Sequence, residues 1–483
     1  MTIYMIWLLI IYFNFLIITA YIVNKKNKQD NLTFFRGKRK TPWYIISIGM
    51  ISSSISGISL ISVPGMVQQS NFAYMQMVFG FFVGYIIIAY ILLPLYYKLN
   101  LISIYGYLNN RFGQKTYKTG VSFFLLAKLL STSTKLYLVA FLLHQFIFIH
   151  WDFSFVCTCG ILIFFIWLYS FRNGISTIIW TDFIQTLILV LSILCIIIEI
   201  IQDLNLNFYQ LSDLIISNSH NHIFVFDDWT CSQNFFKYFF SGIFITIVMT
   251  GLDQDMMQKN LSCKTLQEAK KNIIYSGISF IPINFLLLIL GFLIIYIAQQ
   301  NNLTIPLSGD EMLPAFINNN INNVIKYAFI LSIIVASFSS ADSALTALTT
   351  CLYIDIFNLK TDKDEQSIIK RKALHIAVSI CVFFTILIIQ NFNTQNCIIN
   401  ILYKLVSYSY GPLLGLFFLG LFSKQKIKDS TTPIVAIISP LLCFAIENIF
   451  YYKLEYQFGY ELLILNATIT TTLLLCCSKI KII

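Results

Sequence analysis

An all-α polytopic membrane protein is the fold class this sequence predicts, and three observations carry the prediction. Of 483 residues, 57% are hydrophobic and only 11% are charged. Mean hydropathy is +0.75. Apolar runs of spanning length recur along the whole chain, about 13 of them at roughly 20 residues each. No water-soluble domain of this length hides so much apolar surface. In lipid, lone strands and loops leave backbone groups unpaired, so the spans are helices.

The runs lie in order at 3–23, 43–70, 74–97, 119–147, 153–171, 176–202, 235–252, 272–298, 324–356, 373–391, 397–422, 431–450 and 459–478. The first has no basic residues ahead of it and a dense basic cluster behind it, so it reads as a retained helix rather than a cleaved signal. With the N-terminus outside, the inner segments hold Lys25, Lys26, Lys28, Arg36, Lys38, Arg39 and Lys40, then Lys98, Arg111, Lys115 and Lys118. Arg172 follows, then Lys259, Lys264, Lys270 and Lys271. Lys360, Lys363, Lys370, Arg371 and Lys372 come next, and last Lys424, Lys426, Lys428, Lys479 and Lys481. These are 26 of the 32 basic residues, an asymmetry that fixes the orientation and places the C-terminus inside. The formal net charge of +10 is therefore an orientation device with some attraction for anionic lipid, not a nucleic-acid footprint. Localisation follows as the inner (plasma) membrane, multi-pass, with the lipid bilayer as partner and no obligate protein partner in evidence.

Eleven cysteines lie mostly inside the spans. Cys157 and Cys159 have no second pair at zinc spacing, and disulfides are not supported. The longest hydrophilic parts are the first inner loop and the outer segments 203–233 and 299–323. No HExxH, GxSxG or clustered histidine set occurs, so the chain does not read as an enzyme.

Chemistry enters where polar residues interrupt these spans. The run Ile334 to Ser343 reads IVASFSSADS. At 100° per residue, Ala336, Ser339, Ser340 and Ser343 share one stripe of a helix, with Asp342 at its flank. Serines alone would serve close helix packing. A carboxylate at membrane depth is costly and points to function, and hard oxygen donors suit a small hard cation such as Na⁺. The second span carries Ser52, Ser53, Ser54, Ser56, Gly57, Ser59 and Ser62 ahead of Pro64 and Gly65. Such a stretch either packs closely or unwinds and frees carbonyls that coordinate Na⁺ at mid-bilayer. The fourth span carries Lys128, Ser131, Thr132 and Lys135 on one stripe. Lys135 lies roughly 24 Å from the inner end at 1.5 Å per residue, too deep to snorkel. It faces either an anionic solute or an internal carboxylate, Asp182 or Asp342. Lys128 lies nearer the inner water, where an internal ion pair is the expectation. Asp182 sits about two turns into the sixth span.

At these residues the chain resembles the sodium/solute symporter family, which includes sodium–glucose, proline, monocarboxylate and sialic-acid transporters. The motifs are SISGISLISVPG at 54–65 with NRFG at 110–113, FRNGISTIIWTDFIQ at 171–185, GLDQDMMQKNLSCK at 251–264, and ASFSSADSALTALTT at 336–350 followed by YIDIF. They occur in family order across most of the chain. SVPGMVQ and YGYLNNRFG are closest in wording to a Bacteroidetes-like bacterial branch.

The resemblance implies a LeuT-type fold of five helices repeated in inverted topology. Within a single transporter domain, 1–483, the repeats would be 43–202 and 235–422. An extra N-terminal helix at 3–23 would precede them, and two C-terminal helices at 431–478 would follow. It also implies a principal Na⁺ site made by the carbonyls of Ser52, Ile55 and Ala336 and the hydroxyls of Ser339 and Ser340. A second Na⁺ or H⁺ site would fall on Asp182, Ser339, Asp342 and Ser343. The solute would lie against Ser54, Ser56 and Ser59, with Gln76 near on the next helix and Lys135 in the register that holds a carboxylate in sialic-acid transporters. Proline transporters place an aspartate where Ser54 stands, which disfavours a zwitterionic amino acid. The expected function is Na⁺-driven symport of a small polar solute, an organic anion such as sialic acid or a monocarboxylate. A proton-coupled carrier using Asp182 or Asp342 is the alternative. A sensor or scaffold that lost transport is a third, but no fused signalling domain is present and the Na⁺ ligands are intact.

Overall fold

The computed structural model describes residues 2–25, 31–36, 41–170, 174–217, 222–227, 229–301, 306, 308–359, 365–391 and 398–479. The basic residues Lys26, Lys28, Lys38, Arg39, Lys40, Arg172, Lys360, Lys363 and Lys481, which entered the orientation argument, lie outside them. Among the described residues there is no strand.

An apolar helix, α1 (Thr2–Lys25), opens the chain, and a short α2 (Asn31–Arg36) follows. The serine-rich second span is two helices, α3 (Trp43–Ser54) and α4 (Gly57–Ser70), bent by 61°. The break falls at Ile55 (φ −87°, ψ 89°) and Ser56 (φ −82°, ψ 174°), so two non-helical residues separate the halves. Pro64 and Gly65 remain helical inside α4. Next come α5 (Tyr74–Ile87), a π turn at Ile88–Leu92, α6 (Leu93–Lys98), α7 (Gly106–Arg111) and the long α8 (Gln114–Phe146). They are followed by α9 (Phe155–Ser170), α10 (Ile175–Asp203) and α11 (Phe208–Ser217).

A second broken span follows, which the sequence reading took for an ordinary helix at 235–252. Here α12 (Phe235–Thr246) and a π turn at Ile247–Gly251 bend by 69° into α13 (Gln254–Asn260). The Asp253 carboxylate caps α13 by accepting the Asp255 N–H at 2.9 Å, which explains why the chain restarts there. After these lie α14 (Leu266–Gln300), α15 (Gly309–Asn320), α16 (Asn323–Cys351), α17 (Glu365–Gln390), α18 (Ile398–Phe422), α19 (Thr432–Leu454) and α20 (Leu462–Lys479). Among the described residues, eight helices are long and apolar enough to cross a membrane, ten if each bent pair is one span. Ile10–Thr19, Phe155–Leu168 and Leu462–Ser478 are shorter apolar helices.

Every residue of α16 from Ser332 to Cys351 is buried, which makes it the central post. The flanks of α17 and α19 expose Ile380, Phe384, Ile434, Leu441 and Phe444 instead, as lipid-facing helices do. Two close approaches fix α4. A Cβ at Gly65 would run into the backbone of Gly309 on α15, and one at Gly291 on α14 would run into Pro64. The Ser62 hydroxyl donates to Asp310 Oδ1 at 2.5 Å, while Asp310 Oδ2 accepts the Ile398 N–H at 2.6 Å. Thus α4 is tied to α14, α15 and α18, whereas α3 packs against α10, α14 and α16.

Candidate functional site

The break between α3 and α4 lies against the hydroxyl-bearing stripe of α16. No backbone N–H of a described residue reaches the carbonyl oxygen of Ser52 or of Ile55, because the helix ends before those bonds can form. Ser52 Oγ lies 2.9 Å from Ser339 Oγ, which joins the two helices directly. Ser340 Oγ bonds only to the Ser337 carbonyl of its own helix, at 3.1 Å. Ala336 is fully buried one turn earlier. Freed carbonyls and neutral hydroxyls make an all-oxygen donor set that fits a small monovalent cation. Among the described residues no group of three or more His, Cys, Asp or Glu gathers in the way a transition metal requires.

Asp182 on α10 is drawn into the same place. Its Oδ1 accepts the Ser339 hydroxyl at 2.5 Å, and its Oδ2 lies 2.8 Å from the ammonium of Lys259. Lys259 Nζ also donates to Ser53 Oγ at 2.5 Å. Both charged side chains are closed to solvent, at 1% and 0% exposure. A buried pair of this kind survives only if nearly every lone pair and proton is engaged, and Ser53, Ser339 and Asp255 supply those contacts. Here the sequence reading is corrected. Lys259 was counted among the inner orientation charges, but it belongs to the polar core.

The ion pairs continue through the second break. Lys128 on α8 lies 3.0 Å from Asp253 Oδ2 and 2.8 Å from Asp255 Oδ2. Asp255 Oδ1 lies 3.8 Å from Lys259 Nζ, and Tyr410 on α18 donates to Asp253 at 3.0 Å. Asp253, Lys128, Asp255, Lys259 and Asp182 therefore form, in that order, one buried chain of alternating charge. Lys128 takes the internal pairing expected of it, with partners that the sequence argument did not identify. Asp253 and Asp255 had been quoted only as part of a motif. Two carboxylates and a lysine at D-x-D-x₃-K spacing beside an apolar run are the signal that could have found them.

Asp342 and Ser343 lie further along α16. Asp342 Oδ1 accepts the Ser343 N–H at 2.6 Å, but Asp342 Oδ2 and Ser343 Oγ are buried without a hydrogen-bond partner among the described residues. Thr346 Oγ1 and Gln185 Oε1 share that condition. Gln185 Nε2 donates to the hydroxyl of Tyr12 at 2.7 Å, which brings α1 to this edge of the polar core.

A cavity of about 70 Å³ opens beside the first break, between α3, α4, α5, α8, α12 and α18. Ser54, Ser56, Ser59 and Lys135 all line it. Lys135 forms no ion pair with any described residue. Asp182, offered as its internal partner, is held by Lys259 instead. Gln76 does not line the cavity. Its amide group bonds the Ala73 and Gln233 carbonyls at 3.1 and 3.0 Å and accepts the Val225 N–H at 3.1 Å, so it pins the segment before α12. In this arrangement Gln76, expected near the solute, is engaged by the backbone on both sides of its amide.

Comparison with known proteins bears on this arrangement. The family model described as "Sodium:solute symporter family" matches residues 34–429. The sodium/sialic acid symporter NanT of Aliivibrio fischeri is 24% identical over 88% of this chain and 84% of its own length. SiaT of Proteus mirabilis, also a sodium/sialic acid symporter, is 24% identical over 88% and 86%. Human sodium-coupled monocarboxylate transporter 2 is 22% identical over 52% of this chain and 40% of its own. A solved substrate-bound, outward-open Na⁺-coupled sialic acid symporter superposes with a TM-score of 0.83 at 19% identity, covering 98% and 97% of the two chains. Mhp1, a nucleobase-cation-symport-1 family transporter, superposes with 0.60 at 13% identity over 94% of each. At these identities the structures establish a shared all-helical, LeuT-type fold.

Proposed function

Because the chain belongs to the sodium:solute symporter family, we propose that it imports a small organic anion, of the monocarboxylate or sialic-acid kind, down the Na⁺ gradient. It is a multi-span membrane transporter coupled to Na⁺, as its relatives are, and not an enzyme. The contact that carries the reading is Ser52 Oγ against Ser339 Oγ at the first break, with Lys135 lining the adjoining cavity and in no ion pair with a described residue.

Na⁺ at the principal site draws the end of α3 onto α16, since its ligands belong to both helices. Ser54 and Ser56, which stand at the same break, are thereby set for the solute. The solute carboxylate meets Lys135, with Ser56 and Ser59 as hydroxyl donors. Each Na⁺ moving inward through about 100 mV contributes roughly 2.3 kcal/mol, besides its concentration term. The coupling between ion and solute is the difference in Na⁺ affinity between the outward and inward states. A second cation position on Asp182, Ser339, Asp342 and Ser343 is supported by the unpartnered oxygens of Asp342 and Ser343. Lys259 competes there for the charge of Asp182.

The topology proposed is about 13 spans, N-terminus outside and C-terminus inside, in the bacterial inner membrane. The ten long or bent spans and the three shorter apolar helices support that number. Inverted repeats at 43–202 and 235–422, flanked by 3–23 and 431–478, are supported by the fact that both repeats open on a broken helix.

Uptake into proteoliposomes, with and without an inward Na⁺ gradient, tests the function. Labelled sialic acid, short monocarboxylates, glucose and proline form the panel. Na⁺-stimulated accumulation of an anion is expected. Accumulation that follows an imposed pH gradient and ignores Na⁺ would replace this reading with proton coupling.

A further inference from the structure

A groove runs down the outside of the bundle between α9 and α17, on the side where α17 exposes its apolar flank. Phe164 and Trp167 form one wall, and Ile376, Ile380 and Phe383 form the other. Phe164, Ile376 and Ile380 are exposed. The floor is open at Gly160, where an added Cβ would meet nothing nearer than the Phe383 ring at 3.9 Å. Ser379 also lines the groove, but its hydroxyl donates to the His375 carbonyl of its own helix at 2.9 Å. Water in such a groove would find few partners, whereas a hydrocarbon chain would match it.

One end of the groove is pinned and basic. His375 Nε2 lies 2.9 Å from Ser170 Oγ at the end of α9, and His375 Nδ1 lies 3.0 Å from Thr349 Oγ1 on α16. The imidazole thus fastens both groove helices to each other and to the central post, so the groove is built into the fold. Lys370, Arg371 and Lys372 stand at the same end, near the start of α17. Arg371 turns inward, its guanidinium 4.0 Å from the Phe34 ring centroid. Lys370 is exposed and Lys372 half-buried. At 3.6 residues per turn, Lys372, Ile376, Ile380 and Phe383 follow one another along a single stripe. From Lys372 to Phe383 that stripe runs roughly 16 Å at 1.5 Å per residue. One leaflet contributes about 15 Å of hydrocarbon, half of a typical core. A lysine at headgroup level and a groove ending near mid-bilayer are therefore matched in length. Glu365, the first residue of α17, stands about two turns beyond Lys372, on the water side.

From the apolar lining, the length of the stripe and the charge at its end, we infer that this groove seats one acyl chain of an anionic phospholipid, with the lipid phosphate on Lys372 and Lys370. Basic clusters at the membrane end of a cleft between spans recognise such headgroups. In the topology proposed above, the lipid belongs to the inner leaflet. A zwitterionic phospholipid fits the groove equally well but brings its own ammonium, and so gains less from the lysines. The inference needs α9 and α17 to face lipid. It does not rest on Na⁺ coupling or on the identity of the solute.

The full chain, purified in detergent and stripped of lipid, would be given phosphatidylglycerol or phosphatidylcholine of the same chain length. Retained lipid would be read by native mass spectrometry and the melting temperature recorded in parallel. Phosphatidylglycerol should be held with an apparent affinity roughly tenfold or more above phosphatidylcholine, the scale that two basic residues at a lipid surface supply. Lys370→Gln combined with Lys372→Gln should bring the two lipids to parity. Gly160→Phe, which fills the open floor, should weaken both. Without added lipid, each variant should melt where the parent does. Equal retention of the two lipids by the parent, or an undiminished preference in the lysine variant, would overturn the inference. So would a dimer that Gly160→Phe dissociates while no lipid is retained, which would give the groove to a second copy of the chain.

Discussion

Ser339 and Ser340 are neighbours on α16, and their substitution should have different consequences. Ser340 Oγ makes one bond, to its own helix at Ser337 O. Ser340→Ala removes that bond, and alanine returns up to about 0.5 kcal/mol of helix propensity. The fold should hardly notice. Binding of Na⁺ should, because the proposed site loses one of its oxygens. Hydrogen bonds to charged groups are worth about 1.5–3 kcal/mol, and on that scale half-saturation by Na⁺ should rise about 10- to 100-fold at 1.4 kcal/mol per tenfold. Ser339→Ala additionally removes the 2.5 Å contact to Asp182 and the 2.9 Å contact to Ser52. It should lower the melting temperature without Na⁺ as well. The assay is the Na⁺ dependence of initial uptake in proteoliposomes, paired with thermal unfolding at zero and saturating Na⁺. A Ser340→Ala protein whose half-saturation stays within twofold of the parent, and whose melting temperature still climbs with Na⁺, would refute the assignment.

Removing the cation from the buried pair should be more damaging. Lys259→Met leaves the Asp182 carboxylate without its 2.8 Å partner, and loss of one member of a buried pair costs about 3–5 kcal/mol. Thermal unfolding should show Lys259→Met with Asp182→Asn to be more stable than Lys259→Met alone. Gly65→Val places a branched Cβ against the backbone of Gly309. Overpacking of about 1–3 kcal/mol should separate α4 from α15, measured as a lower melting temperature and faster proteolysis near 309–320. Asp310, on α15 outside the spans, has its carboxyl raised above the ordinary 3.8 by burial, against the pull of the Ser62 and Ile398 hydrogen bonds. A raised native value means that the folded protein holds the proton more tightly. Its contribution to stability is therefore complete below the ordinary value and fades as pH rises through the raised one. Asp310→Asn should flatten the fall in melting temperature from about pH 4 upward; an unchanged pH profile would dismiss Asp310 as its source.

The parts of this fold legible in the sequence are those set by short-range periodicity. Apolar runs located the helices, and the 3.6-residue stripe picked out Ser339, which meets Ser52 at the first break, on a helix that is buried all round. The serine- and glycine-rich stretch announced the first break, which falls at Ile55 and Ser56, ahead of Pro64, itself helical inside α4. The second break left no such trace. The run 235–252 is as apolar as a straight span, and the bend is set by Asp253 capping α13 and by Lys128 drawing Asp253 and Asp255 inward. Lys259 escaped for a related reason. Its partner, Asp182, is 77 residues away, and a lysine at the end of an apolar run looks like any other inner charge. Gln76 was placed near the solute by its position on α5. Only the chain segment around Val225 and Gln233 reveals what its amide holds.

The alternating charges that run from Lys128 to Asp182 link α8, α13 and α10 electrically. Pulling one of them aside strands an unpaired charge in a medium that screens far less than water, and every partial rearrangement carries that penalty. The cheap moves are those in which the neighbouring groups shift together. A carrier wired in this way should resist slippage: half-finished cycles that let ions trickle through without cargo are the very arrangements its own interior makes expensive.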